Sequence, residues 1–196
     1  MDLETKASPA LLAEFVIAAH GDLDRVQILL GQNPDLLNVP WPRFDETALM
    51  AAAHMGRRDI AEYLLAAGAP LTVCCAAMLG EEAEVAAFLA ADPALANAQG
   101  AHGIPIMFHA AMSGNVRLTD LLLAHGGGDG IDDALHGAIM YGHTEMVAWL
   151  LDHGVQNVDA LDFQGKTPLR AAMERDYSTI ADLLRQRGGT EGAAGT

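Results

Sequence analysis

The chain has 196 residues, in which 11 Lys and Arg stand against 26 Asp and Glu, so its formal net charge is −15. With 51% apolar and 19% charged residues, the chain is too apolar to be disordered and long enough to bury a hydrophobic core. The excess of acidic residues argues against binding to nucleic acids and anionic membranes, because a phosphate backbone is bound through Lys and Arg.

The N-terminal segment, the short apolar runs and the two cysteines predict a reduced, cytoplasmic location. The segment Met1–Lys6 is acidic and the first apolar run contains Glu14, so we expect no secretory signal. No run approaches the ~20 apolar residues that a membrane span needs. Adjacent cysteines rarely form a disulfide, and we therefore expect Cys74 and Cys75 to be two small, buried, reduced residues.

One pattern recurs six times along the chain. Two small residues and two variable ones are followed by a turn, and then by an apolar stretch that ends in paired Leu or a similar pair. The turn residues are Gly21, Gly56, Gly80, Gly114, Gly142 and Asp176. Because the apolar residues lie three and four positions apart, each copy predicts a helix, a short turn and a second helix.

The pattern predicts an all-α solenoid of six helix–turn–helix repeats. Their approximate bounds are 9–39, 40–69, 70–98, 99–127, 128–159 and 160–189, followed by a flexible tail over 190–196. One such unit cannot bury its own apolar face, so the six units stack. We expect a single elongated domain over 1–196, in which alanines let neighbouring helices approach closely.

The repeats resemble those of a known family. The segment Asp162–Ala172 is DFQGKTPLRAA, close to the ankyrin pattern D-x-x-G-x-T-P-L-H-x-A-A, and the repeat endings Leu122–Gly126 and Leu150–Gly154 are similar too. Over roughly residues 9–189 the chain resembles an ankyrin-repeat protein of bacterial type. The resemblance implies binding through projecting hairpins, or fingers, and through the exposed side of the inner helices.

The spacing of the turns departs from a regular array. Successive turn residues are 35, 24, 34, 28 and 34 positions apart, whereas ankyrin repeats have a period of about 33. The two short intervals predict that the fingers before repeats three and five are reduced or missing. A missing finger is expected to leave a notch in the concave wall.

Two notches follow from this prediction. The first lies over Cys75, Met78 and Leu79, between walls formed by Trp41, Phe44, His54 and Met55 and by His102, Ile104, His109 and Met112. The second lies over Met140 and Tyr141, beside Met112, Phe163 and Lys166. An exposed apolar patch is typical of a binding site, although side chains filling space under the connectors or covered by a second subunit would give the same pattern.

The sequence indicates no catalytic constellation, cofactor or metal site. The eight histidines mostly follow the repeat pattern, and stacking places His54 and His109 roughly 20 Å apart, too far to share a zinc ion. His102 and His109 can approach each other, but we predict no metal there. There is no G-x-S-x-G motif, and the glycine run 126–130 lacks the Lys and Ser or Thr of a phosphate loop.

We therefore expect a non-enzymatic protein–protein interaction module, monomeric or weakly homo-oligomeric, that binds a basic or neutral protein through its concave face. The alternative is a small-molecule-binding protein or an unusual enzyme, with a pocket for a small apolar ligand between the fingers of repeats two and four and His54 or His109 as acid or base. The candidate contact residues are Trp41, Arg43, Phe44, Glu46, His54, Met55, Met78, Leu79, His102, His109, Met112, Met140, Tyr141 and Arg175, and Glu174 faces the same groove.

Overall fold

The computed structural model describes residues 8–192, and it shows an all-helical chain. Its α-helices are α1 (Pro9–Ala18), α2 (Leu23–Gln32), α3 (Ala48–His54), α4 (Arg58–Ala66), α5 (Val73–Leu79), α6 (Glu82–Ala91), α7 (Ile106–Ser113), α8 (Val116–Ala124), α9 (Ile131–Met140), α10 (Thr144–His153), α11 (Pro168–Met173) and α12 (Ser178–Gln186). They form six consecutive helix–turn–helix pairs, here called repeats one to six. Met1–Lys6 and residues 193–196 of the predicted tail lie outside the described residues.

The helices form two layers. The odd-numbered helices contact one another in sequence and form the inner layer, and the even-numbered helices pack behind them. Three short 3₁₀ helices, Pro34–Leu36, Pro93–Asn97 and Ala101–Gly103, lie in the long connectors. Within residues 8–192, no helix is both long enough and apolar enough to cross a bilayer.

Threonine caps and left-handed glycines set the ends of several inner helices. The hydroxyl oxygens of Thr47, Thr72 and Thr167 accept hydrogen bonds from the backbone N–H three residues later, at 3.2–3.3 Å, and so satisfy a donor that the helix leaves unpaired. Gly80 and Gly114 follow α5 and α7 at φ of 75° and 72°, where a side chain would be strained. The recurring small residues and glycines in the sequence thus mark the same positions of each repeat.

The inner helices pack closely because their facing residues are small. Ala76, Ala77, Ala110 and Ala111 are fully buried. A Cβ on Gly137 would lie 2.7 Å from the backbone oxygen of Phe108, so α7 and α9 can be this close only with glycine at that position. All seven residues of α5 are buried, and the apolar clusters of the N-terminal and C-terminal halves meet on this helix.

Three connectors carry a hairpin-like finger. In the repeat-two finger (41–46) the N–H of Trp41 donates to the oxygen of Glu46 at 2.8 Å. The repeat-four finger (99–105) is closed by Gly100 N–H to Ile104 O at 2.8 Å, and the repeat-six finger (162–166) by Asp162 N–H to Lys166 O at 3.0 Å. The connectors 67–72 and 125–130 contain no such closure among the described residues, so fingers are missing before repeats three and five, as predicted.

The chain beyond repeat six is anchored at its start. The N–H and hydroxyl of Thr190 donate to the carboxylate of Asp159 at 2.8 and 2.7 Å, and the carbonyl of Thr190 accepts from the hydroxyl of Thr167 at 2.6 Å. These contacts attach residue 190, the first of the predicted tail, to the repeat-six connector.

Candidate functional site

The fingers of repeats two and four meet in front of α3. The ring of Phe44, in the first of these fingers, lies 5.3 Å from the ring of His102 in the other, and His102 lies 5.1 Å from His54 on α3. No finger of repeat three separates them, so the repeat-four finger extends across to repeat two. Trp41 packs edge-on against Phe44, with ring centroids 5.1 Å apart. The two fingers therefore form one continuous wall.

Three histidines surround one carboxylate behind this wall. His20 follows α1, Glu46 ends the repeat-two finger, His54 ends α3 and His102 lies in the repeat-four finger. One nitrogen or oxygen from each residue lies within 4.8 Å of the corresponding atom of the others. Oε1 of Glu46 is 3.1 Å from Nδ1 of His54 and 3.9 Å from Nε2 of His20, and its Oε2 is 3.5 Å from Nε2 of His102.

The carboxylate of Glu46 is buried without a hydrogen bond. Its side chain is 1% exposed, and neither oxygen accepts a hydrogen bond from any part of the chain between residues 8 and 192. Nδ1 of His54 has a competing acceptor, the carbonyl of Met50 at 3.2 Å. Burial raises the pKa of Glu46, but the contact with His54, together with the nearby imidazoles of His20 and His102, outweighs the effect of burial and holds that pKa below its usual value.

Tyr141 spans the concave groove at the end of the inner helices that carries the turns, away from the fingers. Its hydroxyl donates to the carbonyl of Met55 at 2.9 Å, joining repeat five to repeat two across 86 residues of sequence. A Cβ on Gly56 would lie 2.2 Å from that hydroxyl oxygen, so the turn must carry glycine for the contact to form. The solenoid is therefore curved so tightly that repeats two and five touch over repeats three and four.

This curvature fills the first predicted notch. Cys75, Met78, Leu79 and Met112 are all buried, at 0 to 7% exposure, and they form one core cluster with repeats one and two. The prediction that Met78, Leu79 and Met112 line an open concave notch is wrong. The missing finger draws the neighbouring repeats together instead of leaving a gap, because apolar side chains are more stable packed than exposed.

His109 is a core residue rather than a groove residue. It is 1% exposed, and its Nδ1 lies 3.0 Å from the carbonyl of Pro105. Burial lowers its pKa to about 4, so its imidazole stays neutral at pH 7 and is poorly matched to an acid or base working there. Burial likewise raises the pKa of both free thiols, Cys74 and Cys75, to about 12, in agreement with the expectation of two buried, unbridged cysteines.

The second predicted notch stays open. Met140 is half-buried and Tyr141 is exposed, and beside them Phe163 in the repeat-six finger is 89% exposed. Lys166 and Glu174, at the repeat positions of Glu46 and His54, form an ion pair at 2.5 Å. Arg175 is exposed and donates to the carbonyl of Ala171 at 3.1 Å. Of the other predicted contact residues, Arg43, Phe44 and Met55 are exposed and Trp41 is half-buried.

His20 is the member of the cluster that the predicted set of contact residues lacks. It lies one residue before the turn residue Gly21, whereas His54 lies two residues before Gly56, and the two rings are 4.9 Å apart. Both residues lie at the concave end of an inner helix in adjacent repeats, so the repeat pattern places them on the same face but does not predict that their rings meet. The approach of His102 depends on the curvature and had no sequence signal.

Comparison with known families identifies the architecture. The family model described as ankyrin repeats in three copies matches the chain twice, over residues 15–126 and 107–192. No curated protein shows a significant match to the chain. The bacterial type expected from the sequence stays a prediction. With matches that together span most of its length and six stacked helix pairs, the chain belongs to the ankyrin-repeat family.

Proposed function

We propose that the chain binds a protein partner through the part of its concave face that remains open, which consists of the finger tips of repeats two and six and Tyr141. Ankyrin repeats are generally protein–protein interaction modules. The observation that carries the proposal is the 89% exposure of Phe163 at the tip of its finger. Leu161, two residues earlier, is 60% exposed, and an exposed apolar patch typically marks an interaction surface when its side chains are contiguous.

The surroundings of Phe163 are those of an interface rim. Glu174 pairs with Lys166 at 2.5 Å and with Arg170 at 3.3 Å, so charged groups border the apolar tip. Polar side chains around an apolar centre are the usual organisation of a protein interface.

The repeat-two finger supplies a second contact of the same kind. Phe44 is 45% exposed, and the guanidinium of Arg43 lies 5.0 Å from the centre of its ring. Aromatic and Arg side chains are enriched among the residues that dominate binding energy. Because Met78, Leu79 and Met112 are buried, the geometry gives no support to the alternative of an apolar pocket between the fingers of repeats two and four.

Charge and redox state complete the proposal. The net charge of −15 favours a basic or neutral partner through long-range attraction. The reduced Cys74 and Cys75 support a cytoplasmic location. We expect the chain to act as a monomer or a weak homo-oligomer.

Site-specific photo-crosslinking in the native cell tests the site. A benzophenone amino acid replaces Phe163 in one variant and Phe44 in another, and the control places it at Ile28, which is 49% exposed on the outer helix α2. We expect illumination to join the same partner protein to positions 163 and 44 but not to position 28. Adducts that are equally frequent at position 28, or absent from 163 and 44, would contradict the proposed surface.

A further inference from the structure

We propose that His20, Glu46, His54 and His102 form a binding site for one divalent transition-metal ion of the Zn²⁺ class. The site lies behind the wall formed by the fingers of repeats two and four. It lies directly behind Phe44, whose ring is 5.3 Å from that of His102, but it uses different side chains from the proposed protein-binding surface, and neither proposal depends on the other.

The distances suit a four-coordinate ion. Ligand atoms about 2.0–2.1 Å from a tetrahedral ion lie about 3.3 Å from one another. The oxygens of Glu46 lie 3.1, 3.5 and 3.9 Å from nitrogens of His54, His102 and His20. The four ligand atoms lie within 4.8 Å of one another, so side-chain rotations that shorten the longest separation to about 3.3 Å would place all four groups on one ion.

The hydrogen bond of His20 prepares it as a ligand. Its Nδ1 lies 2.9 Å from the carbonyl of Val16, and donating there places the lone pair on Nε2, the atom nearer to Glu46. Metal-binding histidines are commonly oriented by such a bond from their second nitrogen to a backbone carbonyl. Three imidazole nitrogens with one carboxylate oxygen form a set that favours Zn²⁺ and related ions over Ca²⁺ and Mg²⁺, which prefer oxygen ligands.

The carboxylate of Glu46 gives the independent reason to expect a cation. Both of its oxygens are buried and accept no hydrogen bond within residues 8–192, so the neighbouring imidazoles alone offset the cost of burying this anion. A divalent ion bound to this carboxylate would remove that cost. His20 and His102 are 31% and 38% exposed, so an ion can enter from solvent between them while Glu46 forms the buried side of the site.

Such an ion would connect parts of the solenoid that are distant in sequence. His20 belongs to repeat one, Glu46 and His54 to repeat two, and His102 to the finger of repeat four. Because repeat three has no finger, the ion would link the two fingers directly and hold the tight curvature. Binding to the folded state alone stabilises that state by mass action.

Metal binding by the untagged full-length chain tests the proposal. The chain is treated with chelator and dialysed, and Zn²⁺ is added at pH 7.5 in a calorimetric titration, while Co²⁺ absorption reports the coordination geometry. We expect one Zn²⁺ per chain, a tetrahedral Co²⁺ spectrum, and a Tm raised by about 5 °C or more at a hundredfold excess over Kd.

Variants separate this site from adventitious binding. His20→Ala and Glu46→Gln are expected to lower the affinity for Zn²⁺ by at least about tenfold. His125→Ala is the matched control, because its Nδ1 also lies 2.9 Å from the carbonyl four residues earlier but it is outside the cluster. His102→Asn, which keeps a residue that tolerates the φ of 58° at this position, is a second ligand variant.

Circular dichroism first shows that the variants remain folded, and the Zn²⁺ affinities then show whether these residues form the metal site. Loss of affinity in the three ligand variants with retention in His125→Ala supports the site. The absence of saturable binding, or an affinity that His20→Ala and His102→Asn leave unchanged, overturns it.

Discussion

Replacing His109 by Asn tests whether burial keeps this imidazole neutral. The amide nitrogen of Asn can replace Nδ1 as a donor to the carbonyl of Pro105, but Asn does not titrate. In the folded chain the pKa of His109 is lowered from 6.5 to about 4. The unfolded chain therefore binds a proton more readily than the folded one, and the stability from His109 is lost as pH falls below about 6.5, with the loss complete below about 4.

The size of the effect follows from the two pKa values. A histidine whose pKa is 6.5 in the unfolded chain and about 4 in the folded chain lowers the free energy of unfolding by about 2 kcal/mol when the pH is brought from 7 to 5. His109→Asn is expected to lower the free energy of unfolding at pH 7 through poorer packing. When both proteins are brought from pH 7 to pH 5, the free energy of unfolding of the variant should fall by about 2 kcal/mol less than that of the unchanged chain.

Urea unfolding followed by circular dichroism, at pH 7 and pH 5 with chelator present, measures this difference. Other groups titrate equally in both proteins and cancel in the comparison. His125→Asn is the control, because it makes the same substitution at an exposed imidazole. A stability difference between His109→Asn and the unchanged chain that is the same at the two pH values would refute the assigned burial.

Two further substitutions test the packing that sets the curvature, each measured by urea unfolding. Gly137→Ala should lower the free energy of unfolding by about 1–3 kcal/mol, because its Cβ would lie 2.7 Å from the oxygen of Phe108; Gly31→Ala, with nothing within 4 Å, should be neutral or raise it by up to about 1 kcal/mol. Equal effects would contradict the close approach of α7 and α9. Tyr141→Phe removes the hydrogen bond to Met55 and should cost about 0.5–1.5 kcal/mol, whereas an unchanged stability would mean that this contact does not hold the groove closed.

The candidate site was predictable only in part. The exposed residues Arg43, Phe44, Tyr141 and Arg175 lie where the family pattern places concave positions. Met78 and Leu79 occupy equivalent positions but are buried. A repeat pattern assigns a side chain to a face of its own repeat, whereas its exposure depends on how closely the next repeats approach that face.

The sequence by itself determined the local architecture. Small residues and glycines at a repeating position, with helical spacing of Leu on either side, specify six helical pairs, and the lengths of the connectors specify where fingers are missing. Both properties are local, because they follow from backbone geometry and from which face of a helix is apolar.

Only the tertiary structure decided what the missing fingers cause. Their loss lets repeats two and five meet through Tyr141 and Met55, and it brings His102 against His54 with Glu46 beside them. These contacts join residues about 50 to 90 positions apart, and they result from small rotations between repeats that add up along the stack. The sum of those rotations, which no single repeat encodes, closes the first notch and assembles the histidine cluster.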